Sequence, residues 1–122
     1  MQTDTVAYVI GDELDPLAVW WTASGTLVDF SAPHTFSATM FDIDALTTNV
    51  FGSAKTTGFT GAAGSGNQLI GGTPNLTVTW ATSGELNAVT VPGLYVLQIV
   101  ATRTADNRQR TAQIDLLMKA RY

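Results

Sequence analysis

An all-β fold, an antiparallel sandwich of about seven strands, is what this 122-residue sequence predicts, on three observations. Apolar residues recur at every second position in several short runs, the period of a half-buried strand. Clusters of Gly, Pro, Asn, Asp and Ser punctuate those runs at spacings of about 8 to 12 residues, the rhythm of short strands joined by turns. No stretch carries a convincing i, i+3, i+4 apolar stripe, so helices are not expected to contribute. The length suits a single domain spanning 1–122, with enough chain to bury a core.

The clearest element is the stretch 92–118, PGLYVLQIVATRTADNRQRTAQIDLLM. Pro92-Gly93 reads as a turn, because Pro fixes one φ and Gly supplies the next. Tyr95, Leu97, Ile99 and Ala101 then fall on one face, and Leu94, Val96, Gln98 and Val100 on the other. After a polar turn at Thr104-Ala105-Asp106-Asn107, the residues Ala112, Ile114, Leu116 and Met118 share one face of a returning strand. Two alternating runs about a polar turn predict an antiparallel hairpin with one buried face.

From the N-terminus, Thr5 to Ile10 reads as a short edge strand, broken by Gly11-Asp12-Glu13. Leu14 to Thr22 follows, its strand proper beginning near Leu17 because Pro16 cannot donate to a ladder. Leu17, Val19 and Trp21 alternate with Ala18, Trp20 and Thr22, so both faces are expected to be partly covered. Ala23-Ser24-Gly25-Thr26 is a hairpin turn and Leu27 to Phe30 its return. Thr35 to Ile43 is a strong strand with Phe36, Ala38 and Met40 on one face. Residues 46–52 fit either a short strand or a helical turn. Thr56 to Thr60 reads as a short strand.

Residues 61–75, GAAGSGNQLIGGTPN, form a flexible Gly-rich loop by composition. Within it, Leu69 and Ile70 either anchor a neighbouring protein or fold back on the core. Leu76 to Trp80 alternates again, and Gly84 to Ala88 is a candidate helical turn. Tyr95, third after Pro92, is either plain core or a tyrosine whose hydroxyl bonds backbone upstream, the corner found in immunoglobulin-like sandwiches.

Composition narrows function. Charged residues make up 13% of the chain, against about 25% in an average globular protein. That suits an exterior much covered by neighbours. The net charge of −4 argues against nucleic acid as a partner. Residues 1–44 hold seven acids and no Lys or Arg, while 103–121 hold five of the six basic residues. This separation reads either as two ordinary solvated faces or as a polar molecule whose acidic face meets the basic face of a copy or neighbour. With no cysteine, and an N-terminus unlike a signal peptide, folding in a reducing cytoplasm is expected. No run approaches the ~20 apolar residues of a membrane span.

The residues that could carry chemistry each have a blander reading. His34, the only histidine, has no nucleophile near it in sequence and reads as a solvated loop residue. Asp12, Glu13 and Asp15, and Asp42 with Asp44, are acidic clusters without the spacing of a calcium loop, so no metal is assigned. Gly61 to Asn67 resembles a phosphate loop superficially, but Gly66 is followed by Asn67-Gln68 where Lys and a hydroxyl residue are required. Asn75-Leu76-Thr77 is a glycosylation sequon of little weight. Trp20, Trp21, Trp80 and Tyr122 could line a carbohydrate-binding face, although core packing of at least two tryptophans is favoured by their alternation. No catalytic residue, cofactor or metal ligand is therefore assigned, and no enzyme activity is expected. Partner contacts are assigned to the 61–75 loop with Leu69 and Ile70, to the segment 1–10, and to the basic tail from Lys119 through Arg121 to Tyr122.

Gly11-Asp12 followed by Pro16-Leu17, then Ser24-Gly25-Thr26-Leu27-Val28-Asp29-Phe30-Ser31, Phe36 to Met40 and Pro92-Gly93-Leu94-Tyr95 form a distributed pattern. It resembles the N-terminal immunoglobulin-like domain of phage baseplate upper proteins and related small tailed-phage structural proteins. The resemblance spans most of the chain outside 45–75. It implies an immunoglobulin-like sandwich that serves as a non-enzymatic virion component, assembled in the bacterial cytoplasm and bound to other virion proteins in many copies, with no nucleic acid or membrane partner. A tail-tip or baseplate position is expected. Decoration of the outer capsid surface is the alternative, and a carbohydrate-binding module is the alternative of another class.

Overall fold

A computed structural model describes residues 5–64 and 73–120. These residues form ten strands and one 3-10 turn. Strands β1 (Val6–Val9), β5 (His34–Asp42), β6 (Ala45–Asn49), β9 (Gly93–Arg103) and β10 (Gln109–Lys119) make a five-stranded sheet in the order β1-β10-β9-β5-β6. Strands β2 (Leu17–Val19), β7 (Phe59–Gly61) and β8 (Leu76–Val78) make a three-stranded sheet in the order β2-β8-β7. Strands β3 (Thr22–Ala23) and β4 (Thr26–Leu27) form a small hairpin. All pairings are antiparallel except that of β1 with β10. The chain is all-β and sandwich-like.

The hairpin β9–β10 is the backbone of the fold, and its alternation explains why. Ile99 lies opposite Ala112, Leu97 opposite Ile114 and Tyr95 opposite Leu116. On the other side of β9, Ala38 of β5 meets Ile99 and Met40 meets Leu97. Cross-strand rows such as Ile114–Leu97–Met40 are therefore continuous across three strands, and all three residues are buried. From the second sheet Leu17, Val19, Leu76 and Val78 close the same core, together with Leu86 and Val89. Each such aliphatic side chain contributes about 1.5–3 kcal/mol on burial. Leu94, Val96, Gln98 and Val100 alternate to the outer face of β9 and are only half-buried.

Local chemistry sets the turns. Ser24 and Gly25 both take positive φ, 53° and 79°, as a two-residue hairpin turn between right-twisted strands requires. At the far end of β9, Asn107 has φ 58° and its N–H donates to the Arg103 carbonyl at 2.8 Å. Asn tolerates that left-handed conformation better than most residues.

Three expected boundaries move. The run Leu14–Thr22 divides into β2 and β3, and Thr56–Thr60 contracts and shifts to β7, Phe59–Gly61. The ambiguous 46–52 region forms the edge strand β6, joined to β5 by an irregular register at Phe41 and Asp42. These changes raise the strand count from about seven to ten among the described residues. The buried hydrophobic side chains form one core cluster. Among the described residues no helix is long and apolar enough to cross a membrane.

Candidate functional site

The topology sends most of the acidic and most of the basic residues to opposite ends of the sandwich. One end gathers the loop after β1, the β5–β6 turn and the segment leading into β9. Ile10 N–H donates to the Lys119 carbonyl at 2.9 Å, which holds the first to the end of β10, and Ile43 N–H to the Leu94 carbonyl at 3.1 Å, which joins the other two. Here lie Asp12, Glu13, Asp42 and Asp44. Here too are Ile43, Leu46 and Val91, large apolar side chains that are 42%, 58% and 61% exposed. Val91 is fixed by Tyr95, whose hydroxyl donates to the Val91 carbonyl at 2.7 Å. Burial, and then the charge of Asp42, raises the Tyr95 phenol above its ordinary value.

The opposite end holds the turn between β9 and β10, the β3–β4 hairpin and the 28–33 connector. Arg103, Arg108, Arg110 and His34 surround a groove of about 600 Å³ with Leu27, Val28 and Ala101 in its wall. Arg103 holds Asp106 in a two-pronged ion pair, Nε to Oδ1 at 3.0 Å and Nη2 to Oδ2 at 2.6 Å. That hydrogen-bonded guanidinium lowers the Asp106 carboxyl to about 2. Arg108 lies 3.4 Å from the same carboxylate, with its side chain 81% exposed. Asp29, also in the groove wall, accepts from the Ser31 hydroxyl at 2.6 Å and the Ser31 N–H at 3.0 Å. These bonds lower its carboxyl below the usual range.

His34 is not a loop residue. It opens β5, and its ring packs edge-on to Phe30 at 5.0 Å and stacks near Phe36 at 6.1 Å. Its Nδ1 lies 2.7 Å from the Ala32 carbonyl, a partner two residues back in the connector. Its aromatic neighbours give it a place in the fold that its Pro-flanked sequence context concealed. Among the described residues no group of three or more His, Cys, Asp or Glu is placed to hold a metal ion.

Lys119, at the end of β10, is exposed at the acidic end. Leu69, Ile70, Arg121 and Tyr122 lie outside the described residues. The sequon fares differently: Asn75 is buried, and its amide donates to the Trp21 and Val28 carbonyls, both at 2.8 Å. Its side-chain oxygen accepts from the Trp21 N–H at 2.7 Å. Asn75 is therefore a polar clasp between chain segments. Trp21 is 3% exposed. Trp80 packs against the core edge, with its indole N–H donating to the Tyr8 hydroxyl at 3.2 Å. Two of the three tryptophans thus serve packing.

Lys55 carried no sequence signal at all. It is buried, bridged through its backbone to Ala38 of β5, and its ammonium lies 2.7 Å from Glu85. The same ammonium sits 5.5 Å from the ring centres of Phe59 and Trp80. Gly58, at φ 82°, lets the chain pass: a Cβ there would lie 2.5 Å from the Thr79 carbonyl and 2.9 Å from the Lys55 ammonium.

The edge strand β6, ALTTN, has no charged residue and is exposed at four of its five positions. Edge strands are usually blunted by Lys, Pro or a covering segment, because their free backbone groups template pairing with another chain.

No protein-family model, no curated protein and no solved structure matches this chain.

Proposed function

We propose that this chain is a non-enzymatic structural protein of a bacteriophage virion, bound in many copies to other virion proteins at the tail tip or baseplate. The observation that carries the interaction reading is the gathering of Ile43, Leu46 and Val91 at one end, continuous with the uncovered edge β6. Exposed apolar clusters of this kind mark protein contact sites, and an uncharged edge strand accepts strand addition. The virion and tail assignments come from the sequence resemblance to baseplate upper domains.

An immunoglobulin-like arrangement belongs to the same proposal. Supporting it are the order β1-β10-β9-β5-β6 facing β2-β8-β7, the parallel placement of the first strand on the last, and the Tyr95–Val91 bond. A tyrosine entering the penultimate strand and bonding backbone upstream is a recurrent feature of that sandwich.

Quantitative mass spectrometry of purified particles tests the reading. A copy number of one or a few rings per particle is expected. Multiples matching the capsid lattice favour decoration of the head instead, and absence from particles defeats both. The carbohydrate alternative rests mainly on Trp20, and an array of glycans that captures the chain through Trp20 would favour it.

A further inference from the structure

The two ends of the molecule are complementary to each other. At one end, among the described residues, Asp12, Glu13, Asp42 and Asp44 stand against one cation, Lys119, on the same end as the exposed side chains of Ile43, Leu46 and Val91. At the other, Arg103, Arg108 and Arg110 outnumber Asp29 and Asp106 around a groove of about 600 Å³ walled in part by Leu27, Val28 and Ala101. An end that is net acidic thus corresponds to a groove rimmed by arginines, with Leu27 and Val28 in its wall. The eleven-residue strand β9 separates the ends, Gly93 at one and Arg103 at the other. At about 3.3 Å per residue that is a separation of roughly 33 Å. One molecule cannot bring its own ends together, whereas two copies in line can.

We propose that the Ile43–Leu46–Val91 end of one copy docks in the arginine-rimmed groove of a second copy, so that chains associate head to tail. The occupant is a second copy because the same chain supplies both of the oppositely charged surfaces. Such a contact is heterologous: it uses different patches on the two partners, and repeats into a ring when the rotation closes or into a filament when it does not. Opposite charges at the rims fix register and exclude like ends from meeting. The proposal deepens the multi-copy structural reading and rests on it.

Sedimentation velocity of the full-length chain, from about 10 µM to about 1 mM, tests it without reference to particles. The sedimentation coefficient is expected to rise with concentration and to fall back in high salt. Asp44→Arg and Arg110→Glu, each alone, are expected to weaken association more than about tenfold. Their equimolar mixture restores it, since each reversed end then faces an opposite charge. Leu46→Ser weakens association with both rims intact. Thermal melting identifies any variant that fails to fold, and the remaining variants then decide. A wild-type chain that stays monomeric throughout overturns the proposal. So does association that neither charge reversal diminishes, or a mixture that fails to restore it. Such a failure leaves the virion reading standing, because that reading is decided by the chain's presence in particles.

Discussion

The ammonium of Lys55 lies 2.7 Å from Oε1 of Glu85, with the lysine side chain 1% exposed and the glutamate 18%. Glu85 also accepts the Ala81 N–H at 3.0 Å and opens the 3-10 turn Glu85–Ala88, whose Leu86 enters the core. The pair therefore joins the segment that bridges the two sheets to the strand pairing at Ala38. Removing one member of such a pair leaves the other charge buried without a partner, which costs more than the pair contributes.

The two members are not equivalent. Glu85→Ala strands an ammonium that has almost no access to water, and a loss of about 3 kcal/mol or more is expected. Lys55→Met keeps the aliphatic stem and leaves Glu85 nearer the surface with its Ala81 bond, so a loss of about 1–2 kcal/mol is expected. Urea unfolding midpoints measure both. Equal losses would mean that Lys55 reaches water in solution.

Asn75 is expected to be nearly as sensitive. Asn75→Ala orphans the Trp21 N–H and takes a donor from the Val28 carbonyl and from the Trp21 carbonyl, which keeps the Val28 N–H, at about 2 kcal/mol or more. Asn75→Asp sets a carboxylate against those carbonyls, which raises its pKa above the unfolded value of about 3.9. The penalty therefore grows as pH rises through the carboxylate range. Thermal melts at about pH 4 and about pH 7 are expected to differ more for this variant than for wild type; coincident shifts would contradict the clasp geometry.

What could be read from the sequence follows from what leaves a periodic trace. The β9–β10 hairpin was legible because Tyr95, Leu97, Ile99, Ala112, Ile114, Leu116 and Met118 alternate, and every one of them is buried. The basic end was half-legible, as three of the five cations in 103–121, Arg103, Arg108 and Arg110, stand there, but its groove needs β3, β4 and the 28–33 connector, which only the three-dimensional path assembles. Ile43, Leu46 and Val91 drew no assignment, since an apolar residue beside a turn gives no sign of which way it faces. Lys55 and Asn75 left no trace because a single buried polar residue has no period. Their partners lie thirty and fifty-four residues away.

Stability above neutral pH is expected to depend on two phenols. Burial raises Tyr95, with Asp42 adding to the effect. Burial also raises Tyr8, opposed by the Trp80 indole bond and assisted by Asp15. A raised phenol leaves stability intact below the unfolded value of 10.0 and removes it as pH climbs from there through the folded value. Tyr95→Phe is expected to cost about 1 kcal/mol near neutrality through the lost Val91 bond, and to show a shallower decline in alkali. Denaturant titrations on either side of pH 10 make the comparison, and parallel declines for the two proteins would contradict it.

Asp106 governs the acid side of the β9–β10 turn. Its carboxyl, held at about 2 chiefly by the Arg103 hydrogen bonds, supports the folded turn above the ordinary value of 3.8. That support fades as pH falls through about 2. Carbon-detected NMR of the carboxyl is expected to give that midpoint, and Arg103→Gln to move it up toward 3.8. A wild-type midpoint already near 3.8 would mean the ion pair does not persist in water.

Position in the particle is the most direct test of the proposed role. Gold-labelled antibody against the folded chain, applied to intact virions and viewed by electron microscopy, is expected to mark the tail tip. Label spread over the head, or particles that carry none while the antibody binds the free protein, would contradict it.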